Sequence, residues 1–364
     1  MKKLIALTLT ALMVFMLAAC GGGTSSNATA SSSQPPVASS AGASSTEPAQ
    51  VGGDVKKVAM VCSGSLGDNG IFDMGAEALK QAEADFGVEY KVLEGKNDPS
   101  LYYDLLLNGA QGFDMVIVNP GYQFESYLEE IADDYPDTYF FYPDGICPVE
   151  KDNIYSISYR EHEGSYVAGV MAGMMTTRTD FEGINADKVL GFVGAVDTPT
   201  IQNFLQAYEQ GAKSVDPDIE VKSLIVGDHN DPAKGKELAL TLFDQGCDIV
   251  YQAASSSGNG VTEAAKERGL YTIGCDTDKS PLAPDNVMGS MLKNVTKSFY
   301  DAIGIFVEGG KMDKVQYGGL EMGWTGMYFS PEFEAKMPKD VLEAMAETEQ
   351  EIIDGTIVPI DAKS

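Results

Sequence analysis

Histidine is nearly absent: His162 and His229 are the only two in 364 residues. They lie in different segments, neither is followed by metal-ligand spacing, and the five cysteines form no C-x-x-C pair. A His/Cys zinc site therefore has no ligand set. Beyond Cys20 the cysteines are Cys62, Cys147, Cys247 and Cys275, and three of these four sit in or beside apolar, strand-like runs. They read as buried free thiols. Basic residues are scarce too, with 25 Lys and Arg against 54 Asp and Glu, for a formal net charge of -29 spread along the chain. That excludes the basic face nucleic acid requires, disfavours a highly phosphorylated ligand and supports solubility. Catalytic motifs are missing as well. There is no G-x-S-x-G elbow and no Walker loop. Gly64, Gly67 and Gly70 have the wrong spacing for a dinucleotide fingerprint, and Asp68 would put negative charge where a pyrophosphate should lie. Asp276 and Asp278 form an acidic pair of a kind common in loops, so neither an enzyme nor a cofactor is implied.

What is present begins at the amino terminus. Met1, Lys2 and Lys3 are followed by an apolar stretch, Leu4 to Leu17, and then by Leu17-Ala18-Ala19-Cys20. A basic start, a short apolar core and small residues at its end read as a secretory signal, residues 1–19, too short for a comfortable membrane span. Leu-Ala-Ala-Cys resembles the lipobox of bacterial lipoproteins. The resemblance implies cleavage before Cys20, lipid on its sulfur and an extracytoplasmic protein anchored to the cell membrane. Residues 20–54 are rich in Gly, Ser, Ala, Thr and Pro with almost no charge, a composition that forms a flexible tether. Beyond it the nearest approach to a membrane span is Tyr166 to Met175, roughly half the ~20 residues needed.

The rest of the chain exceeds one ordinary core, so two domains are expected. Apolar runs alternate with helical patterns. Strands are expected at Lys57–Cys62, Tyr90–Leu93, Met115–Val118 and Thr138–Phe141, with helices near 72–86, 100–108 and 125–133. The pattern restarts with strands at Val189–Val193, Val221–Val226, Asp248–Tyr251 and Tyr271–Cys275, and helices near 200–214, 234–243 and 260–266. Strands apolar on both faces, alternating with helices, specify α/β structure with two parallel sheets in series. Almost every strand end carries Gly, Ser, Asp or Asn, as in Ser63–Gly70, Asn119–Tyr122 and Asp276–Asp278. Turn chemistry favours these residue types. Their repetition also places hydrogen-bonding groups at the carboxyl edge, where open parallel sheets bind ligands.

Five ordered segments carry a closer resemblance. They are Leu190–Gly211, Tyr159–Gly169, Asn230–Lys236, Ile273–Asp278 and the run Ser290-Met-Leu-Lys293-Asn-Val. Together they resemble the basic membrane protein family, PnrA-like purine nucleoside-binding lipoproteins of bacterial ABC importers, over most of residues 57–320. The resemblance implies a type I periplasmic-binding-protein fold: two Rossmann-like lobes, a three-strand hinge, and ligand in the cleft. Crossings are expected near 156–160, 276–278 and 318–322. Lobe 1 would span 55–158 plus 278–320, and lobe 2 159–277 plus 321–364. The implied partners are a purine nucleoside and a membrane permease, with the chain a monomer, no cofactor and no catalysis. A sugar receptor of the same fold and a secreted nucleoside-acting enzyme are the alternatives.

The resemblance also implies roles at matching positions, with Asn69 and Asn119 among the ligand-binding residues. Asp68 would accept hydrogen bonds from the base edge, or cap the helix before Phe72. Asp276 would accept from the ribose diol, or shape a hinge turn. Lys293 would donate to ribose hydroxyls or neutralise Asp276. Gly258 would allow close backbone approach to the ligand. Phe204 would stack on the base, or pack in a helix core. Where the family carries Asp-x-Ser-Phe-Asn, this chain has Asp68-Asn69-Gly70-Ile71-Phe72. A one-residue shift would let Phe72 stack; otherwise the clamp is one-sided, with Tyr122 and Trp324 as substitutes.

Overall fold

The computed structural model describes residues 55–67, 70–310 and 312–363. The signal, the tether, Cys20, Asp68 and Asn69 lie outside the described residues.

The chain opens with β1 (Lys57–Cys62), α1 (Ile71–Phe86), β2 (Glu89–Glu94), α2 (Tyr102–Gly112), β3 (Met115–Asn119), α3 (Glu125–Ile131), β4 (Tyr139–Tyr142) and β5 (Ile154–Tyr159). A second series follows: α4 (Glu161–Thr176), β6 (Val189–Gly194), α5 (Pro199–Val215), β7 (Glu220–Ile225), α6 (Pro232–Asp244), β8 (Cys247–Ala253), α7 (Gly258–Arg268), β9 (Tyr271–Asp276) and β10 (Val287–Lys293). The chain then returns through α8 (Val295–Val307), β11 (Val315–Gly318), β12 (Thr325–Tyr328), α9 (Pro331–Glu334) and α10 (Lys339–Ile353).

The strands form two six-stranded sheets with matching order, β2-β1-β3-β4-β5-β11 and β7-β6-β8-β9-β10-β12. Every pairing is parallel except β10 with β12. Central strands such as β3 and β8 are buried along their whole length, because helices cover both faces of each sheet. Alternate residues serve opposite cores. In the first sheet Val58, Met60, Met115 and Ile117 pack with α1 and α8, whereas Val61, Val116 and Val118 pack with α2 and α3. In the second, Phe192, Ile249 and Tyr251 face α4, α5 and α10, while Val193 and Val250 face α6 and α7. The edge strands β2 and β7 are only partly covered and carry Glu89, Lys91, Glu220 and Lys222, charges that discourage further pairing.

Helix α4 is buried at fifteen of its sixteen residues. It packs backbone to backbone on α5: a Cβ at Gly169 would lie 2.1 Å from the Tyr208 carbonyl oxygen, and one at Gly211 2.1 Å from that of Tyr166. Neither clash can be relieved by rotating a side chain. Gly211→Ala is therefore expected to destabilise the protein by about 3 kcal/mol or more, read from denaturant unfolding with an unchanged slope.

Asp248, at the start of β8, is fully buried. Thr176 Oγ1 lies 2.9 and 3.0 Å from its two oxygens, and the Asn185 amide donates at 3.4 Å. Burial pushes its carboxyl up from 3.8 to about 6. A raised folded-state pKa means that its contribution is fully present below 3.8 and is lost as pH climbs through about 6. Wild type should therefore lose roughly 2 kcal/mol relative to Asp248→Asn between pH 4 and 7, measured by urea unfolding across that range.

The chain passes between the sheets three times: from β5 into α4, from β10 into α8, and from β11 to β12. The first and third agree with the expected positions. The second does not: β10 pairs in parallel with β9 inside the second sheet, so the crossing falls at 293–295 rather than 276–278. Residues 278–293 accordingly belong with the second sheet. Hydrogen bonds tie the crossings together, from Arg160 N to Gly318 O (2.9 Å), from Asn294 N to Trp324 O (2.8 Å) and from Leu320 N to Glu163 Oε2 (2.8 Å).

Candidate functional site

The carboxyl edges of the strands hold two kinds of polar residue. One kind is consumed by local structure. Thr198 caps α5 through the Ile201 amide, Asp231 caps α6 through Lys234, and Asn294 caps α8 through Lys297. Asp278 accepts from the backbone N–H and hydroxyl of Ser280, so it is a turn residue rather than half of an acidic pair. The other kind gathers at the crossings.

Lys293, the last residue of β10, is 8 % exposed. Its ammonium donates to Asp144 Oδ1 at 2.9 Å, lies 3.6 Å from Glu161 Oε1 and sits 5.2 Å from the Tyr159 ring centroid. Asp276 ends β9, the neighbouring strand, where it pairs in register with Leu292. Burial alone would push the Lys293 ammonium down; Asp144, Glu161 and Asp276 outweigh it and hold its pKa well above the ordinary lysine range. Lys293 thus stays charged at neutral pH. Its partners come from three places: Asp144 follows β4 in the first sheet, Glu161 opens α4, and Asp276 belongs to the second sheet. The Lys293–Asp144 pair therefore bridges the two sheets beside the crossings.

Two of these acids sit in left-handed backbone, Asp144 at φ 62° and Asp276 at φ 67°, and Ser255 beyond β8 does so at 51°. Aspartate tolerates this region better than most residues, but strained positions of this kind concentrate where ligands bind. Tyr159 is held in turn: its hydroxyl lies 2.6 Å from Ser298 Oγ, and its ring packs edge-on against Trp324 at 6.2 Å. A cavity of about 690 Å³ opens beside the first crossing, lined by Asp144, Tyr159, His162 and Thr200 among others; Asp276 and Lys293 lie outside its wall.

Of the residues singled out in the sequence, all but Cys20, Asp68 and Asn69 have a place in the described structure. Asp276 and Lys293 end neighbouring strands. Asn119 is buried at the end of β3, and its Nδ2 donates to Ile71 O at 3.0 Å, which fixes the start of α1. Ile71 packs against the core of the first sheet, whereas the Phe72 ring lies over Gly64, where a Cβ would come within 2.4 Å of it. Phe204 is 3 % exposed and packs in the second sheet's core, 6.4 Å from the Tyr251 ring centroid. At Gly258 the room a side chain would need is filled by the Gln252 amide, whose Oε1 would lie 1.8 Å from a Cβ, so the close approach there is to Gln252. Trp324 is buried and donates Nε1–H to Asp301 at 2.8 Å, which removes it as a stacking surface; Tyr122 is 67 % exposed. The four cysteines of the body are buried, and Cys147, Cys247 and Cys275 are free thiols. Sequence reasoning missed Asp144 and Glu161 as site residues. The available signal was Arg160, Glu161 and Glu163 opening an otherwise apolar helix, and acids there also suit the helix dipole.

A family model for PnrA-like ABC transporter substrate-binding proteins matches residues 55–361. The chain belongs to that family. Basic membrane protein D of Borreliella burgdorferi (strain JD1) is 28 % identical over 319 residues, which cover 85 % of this chain and 90 % of that one. The CD4+ T-cell-stimulating antigen of Listeria monocytogenes serovar 1/2a is 30 % identical over 276 residues, covering 70 % and 73 %. Among solved structures, an ABC transporter solute-binding protein from Aeropyrum pernix K1 is similar with a TM-score of 0.69 at 23 % identity, covering 85 % of this chain and 94 % of that one. That likeness bears on the fold, and it agrees with the two parallel sheets described above. As a member of this PnrA-like family the chain is an extracytoplasmic substrate-binding protein of an ABC transporter, and the family pairs a small-molecule ligand with a permease. Among the described residues no helix is long and apolar enough to cross a membrane.

Proposed function

We propose that this PnrA-like protein captures a purine nucleoside between its two sheets and delivers it unchanged to its permease, tethered by lipid on Cys20. The observation that carries this reading is that Asp276 and Lys293 end neighbouring strands of the second sheet, close enough for the carboxylate to hold up the charge of the ammonium. An ionised carboxylate offers acceptors to two adjacent hydroxyls, and a buried ammonium offers donors beside it. That pair fits a ribose 2′,3′-diol. Asp144 holds the same ammonium from the first sheet, so a ligand engaging Lys293 would reach both halves of the protein. Closure about the three crossings follows from that shared grip. Phe72, at the switch point between β1 and β3, supplies one aromatic wall for the base, and Asp68 and Asn69 are ligand-binding residues, Asp68 accepting hydrogen bonds from the base edge. No covalent step is required, and the protein acts as a monomer.

Phe204 lies in the core, which leaves the aromatic clamp one-sided and gives weight to a second reading, a sugar bound through the same Asp276 and Lys293. Mass spectrometry of small molecules released from the purified protein separates the two. Adenosine, guanosine or inosine in stoichiometric amount supports the nucleoside reading; a hexose or pentose alone replaces it. Release of free base from added inosine would instead indicate an enzyme.

A further inference from the structure

After α10 the chain turns at Gly355 (φ 73°) and runs back along α5 toward the first crossing. Ile357 packs against the core of the second sheet and Pro359 is buried, but Val358 is 75 % exposed and Ile360 44 %. Polar contacts fix the rest of its course. Gln210 brackets the segment, donating to Val358 O at 3.3 Å and accepting from Ile360 N at 2.8 Å. Asn203, fully buried on α5, accepts from Ala362 N at 2.6 Å. Lys363 then donates to Tyr159 O at 3.0 Å and to Glu161 Oε2 at 2.6 Å.

Glu161 is 1 % exposed and serves two cations, Lys363 on Oε2 and Lys293 on Oε1 at 3.6 Å. Asn203 Nδ2 adds a longer contact to Oε2 at 3.4 Å. A buried carboxylate must be compensated, and one that loses a cation leans harder on the cation that remains. Without Lys363, the remaining cation is Lys293. Its ammonium would be drawn toward α4, away from Asp144 and Asp276.

We propose that Lys363 is a positioning residue of the ligand cleft: by holding Glu161 it leaves Lys293 to Asp144, Asp276 and the ligand, and so sets ligand affinity. This rests on the proposed role of Lys293 in binding a nucleoside. The test is calorimetric titration of inosine into the full chain. Lys363→Met should weaken binding about tenfold, and Lys363→Arg should stay within about threefold of wild type. The double variant Glu161→Gln/Lys363→Met should recover most of the loss, because a neutral amide no longer competes for the ammonium. A purely structural tether predicts no such recovery. Unchanged affinity in Lys363→Met, or a loss that persists in the double variant, overturns the proposal. If wild type itself gives no response to any nucleoside, the proposed function has failed instead. The same variants are then read by thermal unfolding, where Lys363→Met should melt below wild type and the double variant above Lys363→Met; the absence of that order again overturns the proposal.

Discussion

Asp276→Asn is expected to weaken inosine binding by about 100-fold or more in titration calorimetry, while the melting temperature of the ligand-free protein moves little. Two charge-assisted hydrogen bonds to a diol contribute roughly 1.5–3 kcal/mol each, and about 2.8 kcal/mol corresponds to 100-fold. Asparagine replaces one anionic acceptor with a donor, so it cannot serve both hydroxyls. It does tolerate the left-handed backbone at φ 67°, which isolates the electrostatic effect from backbone strain. Asp276 is partly exposed, and Lys293 keeps Asp144 and Glu161 when its charge is removed. A change of less than about fivefold would remove Asp276 from the site.

Lys293→Met should fail twice, in stability and in binding. The substitution strips the shared cation from three carboxylates, of which Glu161 is almost fully buried. Removing one member of a buried charge cluster costs about 3–5 kcal/mol, expected as a fall in melting temperature of roughly 6 °C or more. The pH dependence adds a check with a definite sign. The folded-state pKa of Lys293 is raised, so its contribution is fully present below the ordinary lysine value of 10.5 and is lost only as pH rises through the higher folded value. The stability gap between wild type and Lys293→Met should therefore be constant from neutral pH to about 10 and narrow above that. A gap that disappears near pH 7 would mean that the ammonium is not held by these acids.

Much of the fold was legible because its strands advertise themselves. Lys57–Cys62, Met115–Asn119 and Cys247–Ala253 are apolar on both faces, and only a parallel sheet covered on both sides accounts for that. Helix α4 was harder to read. Packed against α5, α10 and the sheet, it is buried almost all round and has no polar stripe, so Tyr166–Met175 showed only as an apolar run. The second crossing was placed too early because Asp276–Asp278 looks like a break, whereas β10 continues the sheet before the chain leaves at Lys293.

The site was legible where one residue type suits one task. Asp276 and Lys293 end neighbouring strands, and that either touches a ligand belongs to the proposal. Phe204 had two readings from sequence, since an aromatic at helical spacing serves a core as well as a ligand, and in this structure it lies in the core. Asp144 carried only the weak signal shared by every polar strand end, and Lys363 carried none. Their importance comes from long-range closure, which brings residues 144, 161, 293 and 363 to one place.

Calorimetric titration of the wild-type protein with inosine, beside ribose and glucose, goes most directly to the central claim. Saturable one-to-one binding of inosine, with neither sugar competing, is the predicted result. Saturable binding of a sugar with no heat from any purine nucleoside would contradict it.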